Sequence, residues 1–322
     1  MNDLDDIITP TKIWLKENKK IAIATVISTW GSSPRPVGGQ MTIDQSGEII
    51  GSVSGGCVEN AVIAEAKNAI EKQELIIKDY GISNDLAWET GLACGGELKI
   101  LIQPLEIQDK ILIEVARNLN KRKQVTLITN CKNGVRKIVK HHHPDSKEKS
   151  YFDKDKNIFY HAFIPKQRLF IIGAVHIAQS LISMAKICGY EIFLIDPREH
   201  FANKKRFPKC NIINDWPDEA LKNFDLNTSC HLITLTHDPK IDDPAIIKAL
   251  ESDFGYIGSL GSKKTHNQRI DRLNKIGINK SILSKIHGPV GLDISSKTPE
   301  EISISILAEL IRFRRQKIYE KV

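Results

Sequence analysis

The stretch Arg168-Leu169-Phe170-Ile171-Ile172-Gly173-Ala174-Val175-His176-Ile177-Ala178 decides the fold of the second half of the chain. Its apolar run predicts a buried strand over 168–172, Gly173 permits a tight turn, and the spacing predicts a helix over 176–188. Asp196 follows the next predicted strand, 191–195, at about the spacing of a ribose-binding carboxylate in dinucleotide-binding units. The stretch is therefore typical of a Rossmann-type unit.

The remainder of this half continues the alternation of strands and helices. Strands are predicted over 231–236 and 255–257, and helices over 244–251, 263–275 and 299–315. Such alternation predicts a doubly wound parallel sheet, which binds ligands at the carboxyl ends of its strands. The predicted cofactor-binding residues at that edge are Gly173, His176, Asp196, His237, Asp238, Ser262 and Lys263.

One position breaks the dinucleotide fingerprint. The middle glycine, which lets the pyrophosphate approach the backbone, is replaced here by Val175. The added bulk predicts weak or absent NAD(P) binding. An NAD(P)-dependent oxidoreductase using the Rossmann-like unit therefore stays as the alternative function.

The first half contains a different signal, in which small residues surround an arginine and a cysteine. Gly31-Ser32-Ser33-Pro34-Arg35-Pro36-Val37-Gly38-Gly39 is followed by Gly51-Ser52-Val53-Ser54-Gly55-Gly56-Cys57-Val58-Glu59. Prolines on both sides of Arg35 restrict its backbone, and glycines permit close approach of a ligand. The pattern predicts a preformed pocket for an anionic or planar ligand, formed by Arg35, Gly55, Gly56 and Cys57.

Cys57 is the candidate metal ligand or sulfur carrier of this pocket. A helix is predicted to start at about Cys57, where backbone N–H groups favour the thiolate over the thiol. A small structural thiol at a tight turn is the alternative. Cys94 and Gly95, in the second Gly/Cys element at 91–97, are predicted to face the same pocket. Glu59 and Glu97 fit either pocket carboxylates or helix-start and strand-edge roles.

Strands predicted over 21–27, 40–44, 48–53, 97–102 and 124–129 make the first half an α/β domain. The segment 132–156 is polar and charged, and it predicts an exposed hairpin or an interdomain connection. The predicted domains are an α/β domain with the Gly/Arg/Cys loops, residues 1–150, and a Rossmann-like domain, residues 151–322.

Composition excludes several classes of protein. The formal net charge is +7, but 46 basic residues are interspersed with 39 acidic ones, which disfavours a nucleic-acid-binding face. No apolar run is long enough to predict a membrane span, and the acidic start lacks the features of a signal peptide. The six cysteines are scattered, which predicts a reducing, cytoplasmic environment.

Taken together, these motifs resemble the xanthine dehydrogenase accessory family, also called XdhC/CoxI. The resemblance covers most of the chain and includes Tyr256–Ser262, Gly288–Asp293 and Thr298–Glu301. It implies a protein that binds molybdenum cofactor (molybdopterin) and assists its sulfuration and its insertion into a xanthine dehydrogenase-type molybdenum hydroxylase. It also implies a chaperone rather than an enzyme, a homodimer, and a cysteine desulfurase as a further partner. A pure interaction protein with vestigial pockets stays as a third reading.

Overall fold

The computed structural model describes residues 7–31, 35–81, 96–139 and 149–319. The chain divides into two compact units, Met1–Pro165 and Lys166–Val322. The first unit extends beyond residue 150, where the sequence places the boundary, because the strands after that residue pair within its own sheet. The predicted mixed α/β class is confirmed.

The first unit is built around a five-stranded antiparallel sheet with the order β3-β2-β1-β5-β4. Its strands are β1 (Ile21–Trp30), β2 (Gln40–Asp44), β3 (Ile49–Gly51), β4 (Ile76–Tyr80) and β5 (Glu97–Leu105). Side chains alternate across the central strand β1, as the period of two requires. Ala22 and Ala24 pack beneath helix α2 (Glu59–Lys72), and Ile21 and Ile23 pack on the opposite face.

That opposite face is covered by two helices and a smaller sheet. The helices are α1 (Thr9–Lys16) and α3 (Lys110–Asn120), and the four strands, in the order β7-β6-β9-β8, are β6 (Val125–Asn130), β7 (Arg136–Val139), β8 (Tyr151–Asp153) and β9 (Ile158–Phe163). The polar segment 132–156 thus contributes β7 and β8 to the first unit.

The second unit has a six-stranded, all-parallel sheet with the order β12-β11-β10-β13-β14-β15. Its strands are β10 (Arg168–Ile172), β11 (Glu191–Ile195), β12 (Asn211–Ile213), β13 (Cys230–Thr234), β14 (Tyr256–Ser259) and β15 (Ile286–His287). The helices between them are α4 (His176–Ile187), α5 (Pro217–Leu221), α6 (Pro239–Glu251), α7 (Lys263–Lys275) and α8 (Lys280–Leu283), and α9 (Pro299–Tyr319) follows. The predicted doubly wound parallel sheet is confirmed.

Both faces of this sheet are buried, which explains the continuous apolar character of its strands. Leu169 and Ile171 of β10 pack against a core that includes residues of α4 and α9. Phe170 and Ile172 pack into a second core with residues of α6 and α7. No helix in the described part of the chain is long and apolar enough to cross a membrane.

Helix α9 begins at a capping box. The N–H of Glu301 donates to Oγ1 of Thr298 at 3.3 Å, and the N–H of Thr298 donates to Oε2 of Glu301 at 3.0 Å. The N–H groups of Thr298 and Lys297 both donate to the Glu301 carboxylate and lower its pKa. The helix predicted over 299–315 therefore begins at the expected residue, Pro299.

Candidate functional site

In the first unit, strand register places the ends of several strands at one edge of the five-stranded sheet. Trp30 ends β1 opposite Glu97, which begins β5. Gly51 ends β3 opposite Met41, close to the start of β2. The connections that leave these ends therefore start from the same edge.

These connections contain the residues that the sequence predicts as the pocket. Arg35 and Cys57 both lie on segments at this edge, one before β2 and the other after β3. Trp30 is 69 % exposed there. Cys94 and Gly95 lie outside the described residues, so their predicted place in the pocket stays a prediction.

The segment before β2 is a tight turn with Arg35 at its beginning. Arg35 is half-buried, and the N–H of Gly39 donates to the carbonyl of Pro36 at 3.0 Å. Gly38 has φ +91°, and a Cβ at this position would lie 2.8 Å from Oγ of Ser150. Glycine is therefore needed at 38 for backbone conformation and for space.

The segment after β3, residues 52–58, is called the thiol loop below, and the carboxylate of Glu59 organises it. Oε1 of Glu59 accepts from Oγ of Ser52 at 2.7 Å, from N of Ser54 at 2.9 Å and from N of Gly55 at 3.0 Å. Oε2 accepts from N of Gly56 at 2.8 Å and from Oγ of Ser54. Burial alone would raise the pKa of Glu59, but the bonds from Ser54 and Ser52 outweigh it and lower the pKa to about 2.

The amides of the paired glycines are engaged within the loop. The N–H groups of Gly55 and Gly56 donate to Glu59, so the protein's own carboxylate occupies these two donors. Gly55 has φ +80° and Gly56 φ +119°. A Cβ on Gly56 would meet nothing within 4 Å, so its backbone conformation, rather than crowding, calls for glycine.

Cys57 is an exposed, unpaired thiol on this loop. Helix α2 begins at Glu59 with Val58 as its N-cap, so Cys57 precedes the helix instead of starting it. The N–H of Val58 donates to Oγ of Ser54 at 3.0 Å, and the Val58 side chain is buried. In the described ranges, no group of three or more His, Cys, Asp or Glu side chains is arranged to hold a metal ion.

Other described cysteines differ from Cys57 in exposure. Cys131, Cys210 and Cys230 are buried, and Cys188 is half-buried at the end of α4. Burial raises the pKa of Cys131 to about 11, so its thiolate is disfavoured. These surroundings suit structural thiols.

In the second unit, the predicted residues follow strands whose carboxyl ends lie at one edge of the parallel sheet. At the turn after β10, Gly173 has φ +103°, and a Cβ there would lie 2.4 Å from Cγ2 of Thr236. Val175 is half-buried and packs against the core, while His176 is exposed in the first turn of α4. The predicted crowding of a pyrophosphate by Val175 stays a prediction.

Asp196 is fully buried, and each of its carboxylate oxygens accepts two hydrogen bonds. Oδ1 accepts from N and Nε of Arg198 at 3.0 and 2.9 Å. Oδ2 accepts from N of Ala174 and Nη2 of Arg198, both at 2.8 Å. Burial raises the pKa of Asp196, but the bonds from Arg198 and Ala174 more than offset this and leave the pKa lowered. In this arrangement the carboxylate has no vacant acceptor position for a ribose hydroxyl.

The turn after β13 is held by Asp242. His237 is exposed with φ +62°, an uncommon conformation for a residue with a side chain, and its N–H donates to Oδ2 of Asp242 at 3.0 Å. Oγ1 of Thr236 donates to Oδ1 of Asp242 at 2.7 Å. Burial raises the pKa of Asp242, with these bonds acting in the opposite direction. Asp238 is the N-cap of α6 and accepts from N of Lys240.

The turn after β14 leads into α7. Ser262 caps that helix by accepting from N of Thr265 at 3.1 Å, and Lys263 is exposed at its first position. Two turns later, Arg269 is 2 % exposed and donates from Nη2 to the carbonyl of Leu260 at 3.0 Å. Burial lowers the pKa of Arg269, and the charge of Asp242 opposes that effect.

Arg198 and Arg269 are not among the site residues that the sequence predicts. Arg198 follows Asp196 by two positions, and this spacing after a strand end was a usable signal for a local ion pair. Nothing in the sequence distinguishes the buried Arg269 from Arg272, which pairs with Asp243 on the helix surface. For Glu59 the sequence allows two roles, and in the structure its carboxylate organises the loop before its helix.

Comparison with known proteins agrees with these two units. A model described as the XdhC Rossmann domain matches residues 169–310, and one described as the XdhC and CoxI family matches residues 14–81. Together they span more than half of the chain, in the order of the two structural units. The chain thus belongs to a class of proteins with two units. The first is an antiparallel α/β unit with a Gly/Cys loop, and the second is a Rossmann-type unit. The chain belongs to the XdhC and CoxI family.

Several individual proteins are similar over nearly the whole chain. A protein of Bacillus subtilis named as a probable xanthine dehydrogenase subunit is 27 % identical over 94 % of this chain and 96 % of its own length. The molybdenum cofactor insertion chaperone PaoD of Escherichia coli is 27 % identical over 93 % of this chain and 85 % of its own length. A crystal structure of a xanthine dehydrogenase from Bacillus halodurans superposes with a TM-score of 0.81 at 28 % identity, covering 98 % of this chain and 96 % of that one.

Proposed function

We propose that this chain binds molybdenum cofactor and assists its insertion into a xanthine dehydrogenase-type molybdenum hydroxylase. The observation that best supports this proposal is the exposed thiol of Cys57, which lies on a hydrogen-bonded loop at one edge of the first unit's sheet. The names of the Bacillus subtilis and Escherichia coli relatives support the proposal, since one refers to xanthine dehydrogenase and the other to cofactor insertion.

The chemistry of the loop suits such a ligand. Thiolate sulfur is a soft donor, and as a single protein ligand it can contact a metal whose other ligands come from the cofactor. Arg35 lies on the neighbouring turn, and a guanidinium is suited to bidentate contacts with a phosphate such as that of a pterin cofactor. Gly56 has open space at its Cα, which favours close approach of a planar ring system.

Further parts of the proposal concern the sulfuration of the cofactor, the partner proteins and the cellular compartment. The cofactor is handed over in sulfurated form, a cysteine desulfurase is the sulfur source, and the chain acts as a cytoplasmic homodimer and not as an enzyme. Beside Arg35, Gly55, Gly56 and Cys57, the proposed ligand-facing residues include Cys94 and Gly95. In the second unit the proposed ligand-facing residues are Gly173, His176, His237, Asp238, Ser262 and Lys263, whereas the predicted residue Asp196 is engaged by Arg198 and Ala174.

The test is direct binding and transfer with a matched pair of cysteine variants. Purified chain is mixed with molybdenum cofactor, its absorbance spectrum is recorded, and activation of a cofactor-free molybdenum hydroxylase is measured. We expect Cys57→Ala to keep its fold and to lose cofactor retention or client activation. Cys188→Ala, which removes a thiol from the second unit, is expected to behave as the unmodified chain. Normal retention and activation by Cys57→Ala would exclude the proposed role of the thiol.

The alternative function, an NAD(P)-dependent oxidoreductase, has less support. The turn at Gly173 suits a Rossmann-type unit, but the oxygens of Asp196 are fully engaged with Arg198 and Ala174. A ribose diol would have to displace some of these bonds. Titration with NADH, followed by absorbance or fluorescence, separates this function from cofactor insertion.

A further inference from the structure

The carboxylate of Glu59 occupies an anion-binding concavity made by the thiol loop itself. Successive backbone N–H groups that point to one spot form such a concavity, and those of Ser54, Gly55 and Gly56 all donate to this carboxylate. The hydroxyls of Ser52 and Ser54 complete the set of donors. Glu59 is only 9 % exposed, so its charge is held by these bonds and not by water.

This is more than the usual favourable contact between an acidic side chain and a helix start. An exposed acidic residue in the first turn acts mainly through the helix dipole and needs no particular partner. Glu59 instead reaches back over residues that precede α2 and bonds three successive amides of the loop. The carboxylate therefore fixes the path of the backbone immediately before Cys57.

The backbone on the other side of the thiol depends on the same network. Oγ of Ser54 donates to Glu59 and also accepts from N of Val58 at 3.0 Å. Cys57 thus lies between Gly56, whose N–H is bound by Glu59, and Val58, whose N–H is bound by a hydroxyl that Glu59 orients. The thiol itself makes no part of this network and is exposed.

We propose that Glu59 is the positioning residue of the site, an internal anion that holds the thiol loop so that Cys57 is presented to the ligand. The inference rests on the proposed function of Cys57 and deepens it. It also limits ligand recognition, because an anionic group of the cofactor does not bind the N–H groups of Gly55 and Gly56 while Glu59 holds them. The ligand's phosphate is bound by other donors.

Three variants separate positioning from general destabilisation. Glu59→Gln keeps the shape but brings an NH₂ group against N–H donors, and Glu59→Ala leaves the concavity open. Glu71→Gln makes the same charge change on an exposed position of the same helix and serves as the control. Ser52→Ala removes one donor to Glu59 and also one of the two acceptors of the Gly55 N–H, Oγ of Ser52 at 2.9 Å. It supplies a milder variant in case the Glu59 variants fold poorly, and its readout is the amide of Gly56.

The first readout is hydrogen exchange at the amides of Gly55 and Gly56, followed by NMR. We expect exchange to rise by about tenfold or more in Glu59→Gln and Glu59→Ala, to rise less in Ser52→Ala, and to stay unchanged in Glu71→Gln. Excess acetate, which can place a carboxylate in the open concavity, is expected to restore protection in Glu59→Ala. Unchanged exchange in Glu59→Gln, unchanged exchange of the Gly56 amide in Ser52→Ala, or no recovery with acetate in Glu59→Ala would overturn the proposal.

The second readout is affinity for molybdenum cofactor. We expect the affinity to fall by about tenfold or more in Glu59→Gln. Acetate is expected to restore the affinity of Glu59→Ala but not that of Cys57→Ala. If the loop amides lose protection from hydrogen exchange while the affinity for molybdenum cofactor is retained, the positioning role of Glu59 is wrong and the proposed function stands. If the unmodified chain binds no cofactor, the proposed function fails, and so does the presentation of Cys57 to that ligand.

Discussion

Arg198 binds both oxygens of Asp196 through two parallel hydrogen bonds, Nε to Oδ1 at 2.9 Å and Nη2 to Oδ2 at 2.8 Å. The Asp196 side chain is completely buried, whereas that of Arg198 is 36 % exposed. The guanidinium also lies over the ring of Phe201, 4.5 Å from its centroid. The pair closes the turn after β11 and links it, through the N–H of Ala174, to the turn after β10.

Removal of this pair is expected to lower stability in a pH-dependent way. Because Arg198 is partly exposed and screened by water, we expect Arg198→Ala to lower the free energy of unfolding by only about 1–2 kcal/mol at neutral pH. The folded-state pKa of Asp196 lies below its ordinary value of 3.8, so the pair's contribution is present above that value and is lost as the pH falls further.

Urea unfolding at neutral pH and at about pH 3 checks this expectation. The difference between the variant and the unmodified chain should narrow at the lower pH. Arg117→Ala, which removes an exposed pair with Glu114, provides the control and should cost less than about 0.5 kcal/mol. An undiminished difference at low pH would assign the loss to packing on Phe201 instead of the charge pair.

Several elements could be predicted from the sequence to the residue. The strands Arg168–Ile172 and Glu191–Ile195 and the helix Lys263–Lys275 have the predicted bounds. These elements are buried apolar runs or a capped helix whose ends are marked by glycine, aspartate or serine. Their limits are set by local chemistry, which a single sequence contains.

Other elements depend on partners distant in sequence. The edge strands Asn211–Ile213 and Ile286–His287 are very short and form by pairing with β11 and β14. Likewise, Arg136–Val139 lies in a polar segment and becomes a strand because it pairs with β6. Local composition does not report such pairing, so the sequence does not predict the two edge strands or the later end of the first unit. For the segment 132–156 it leaves an exposed hairpin and an interdomain connection as alternatives, and β6 and β7 do form an antiparallel pair.

The candidate sites show the same division. In the second unit, the alternation of strands and helices predicts that the loops lie at the carboxyl ends of the parallel strands. In the first unit, the loops are brought together by the antiparallel strand order β3-β2-β1-β5-β4, which the sequence does not predict. Which donors occupy the carboxylates of Asp196 and Glu59 depends on side-chain conformation. The predicted ribose contact of Asp196 therefore competes with internal bonds that the sequence does not show. The amides of Gly55 and Gly56 are engaged by Glu59 in the same way.

Gly173 provides a test of close packing between the turns after β10 and β13. We expect Gly173→Ala to destabilise the fold by about 3 kcal/mol, because φ is +103° and the new Cβ would lie 2.4 Å from Cγ2 of Thr236. Gly189→Ala is the matched control, since Gly189 has φ +85° and nothing within 4 Å of a Cβ. Gly189→Ala should lower the free energy of unfolding by only about 1 kcal/mol, the cost of the backbone conformation without a steric conflict.

Thr236→Ser separates the two contributions at Gly173. Serine lacks the Cγ2 methyl but keeps the hydroxyl that donates to Asp242. In a double-mutant cycle, Thr236→Ser should recover part of the loss caused by Gly173→Ala, with an interaction energy of about 1 kcal/mol. Strict additivity of the two changes would contradict the predicted steric conflict.

NAD binding tests the dinucleotide-binding fingerprint at the carboxyl ends of the parallel strands. We expect calorimetry to show that the unmodified chain binds NAD weakly or not at all, because Val175 replaces the expected glycine and Asp196 has no vacant acceptor position. Val175→Gly should raise the affinity, and combining it with Arg198→Ala should raise it further by releasing acceptor positions on Asp196. Tight NAD binding by the unmodified chain would show that both obstacles are wrongly assigned.

The last prediction concerns acid stability and Glu59. Its pKa is about 2 in the folded chain against an ordinary value of 4.5, because bonds from Ser54 and Ser52 outweigh the opposing effect of burial. A lowered folded-state pKa gives a stabilising contribution that is present above the ordinary value and is lost as the pH falls toward 2. We therefore expect Glu59→Gln to cost about 2 kcal/mol at neutral pH, less than the full shift implies because glutamine keeps one acceptor oxygen. Unfolding free energies measured from neutral pH down to about pH 3 should show the two chains converging, while Glu71→Gln stays parallel to the unmodified chain. A difference in unfolding free energy that stays constant across that pH range would mean that Glu59 stabilises the loop by its shape and not by its charge.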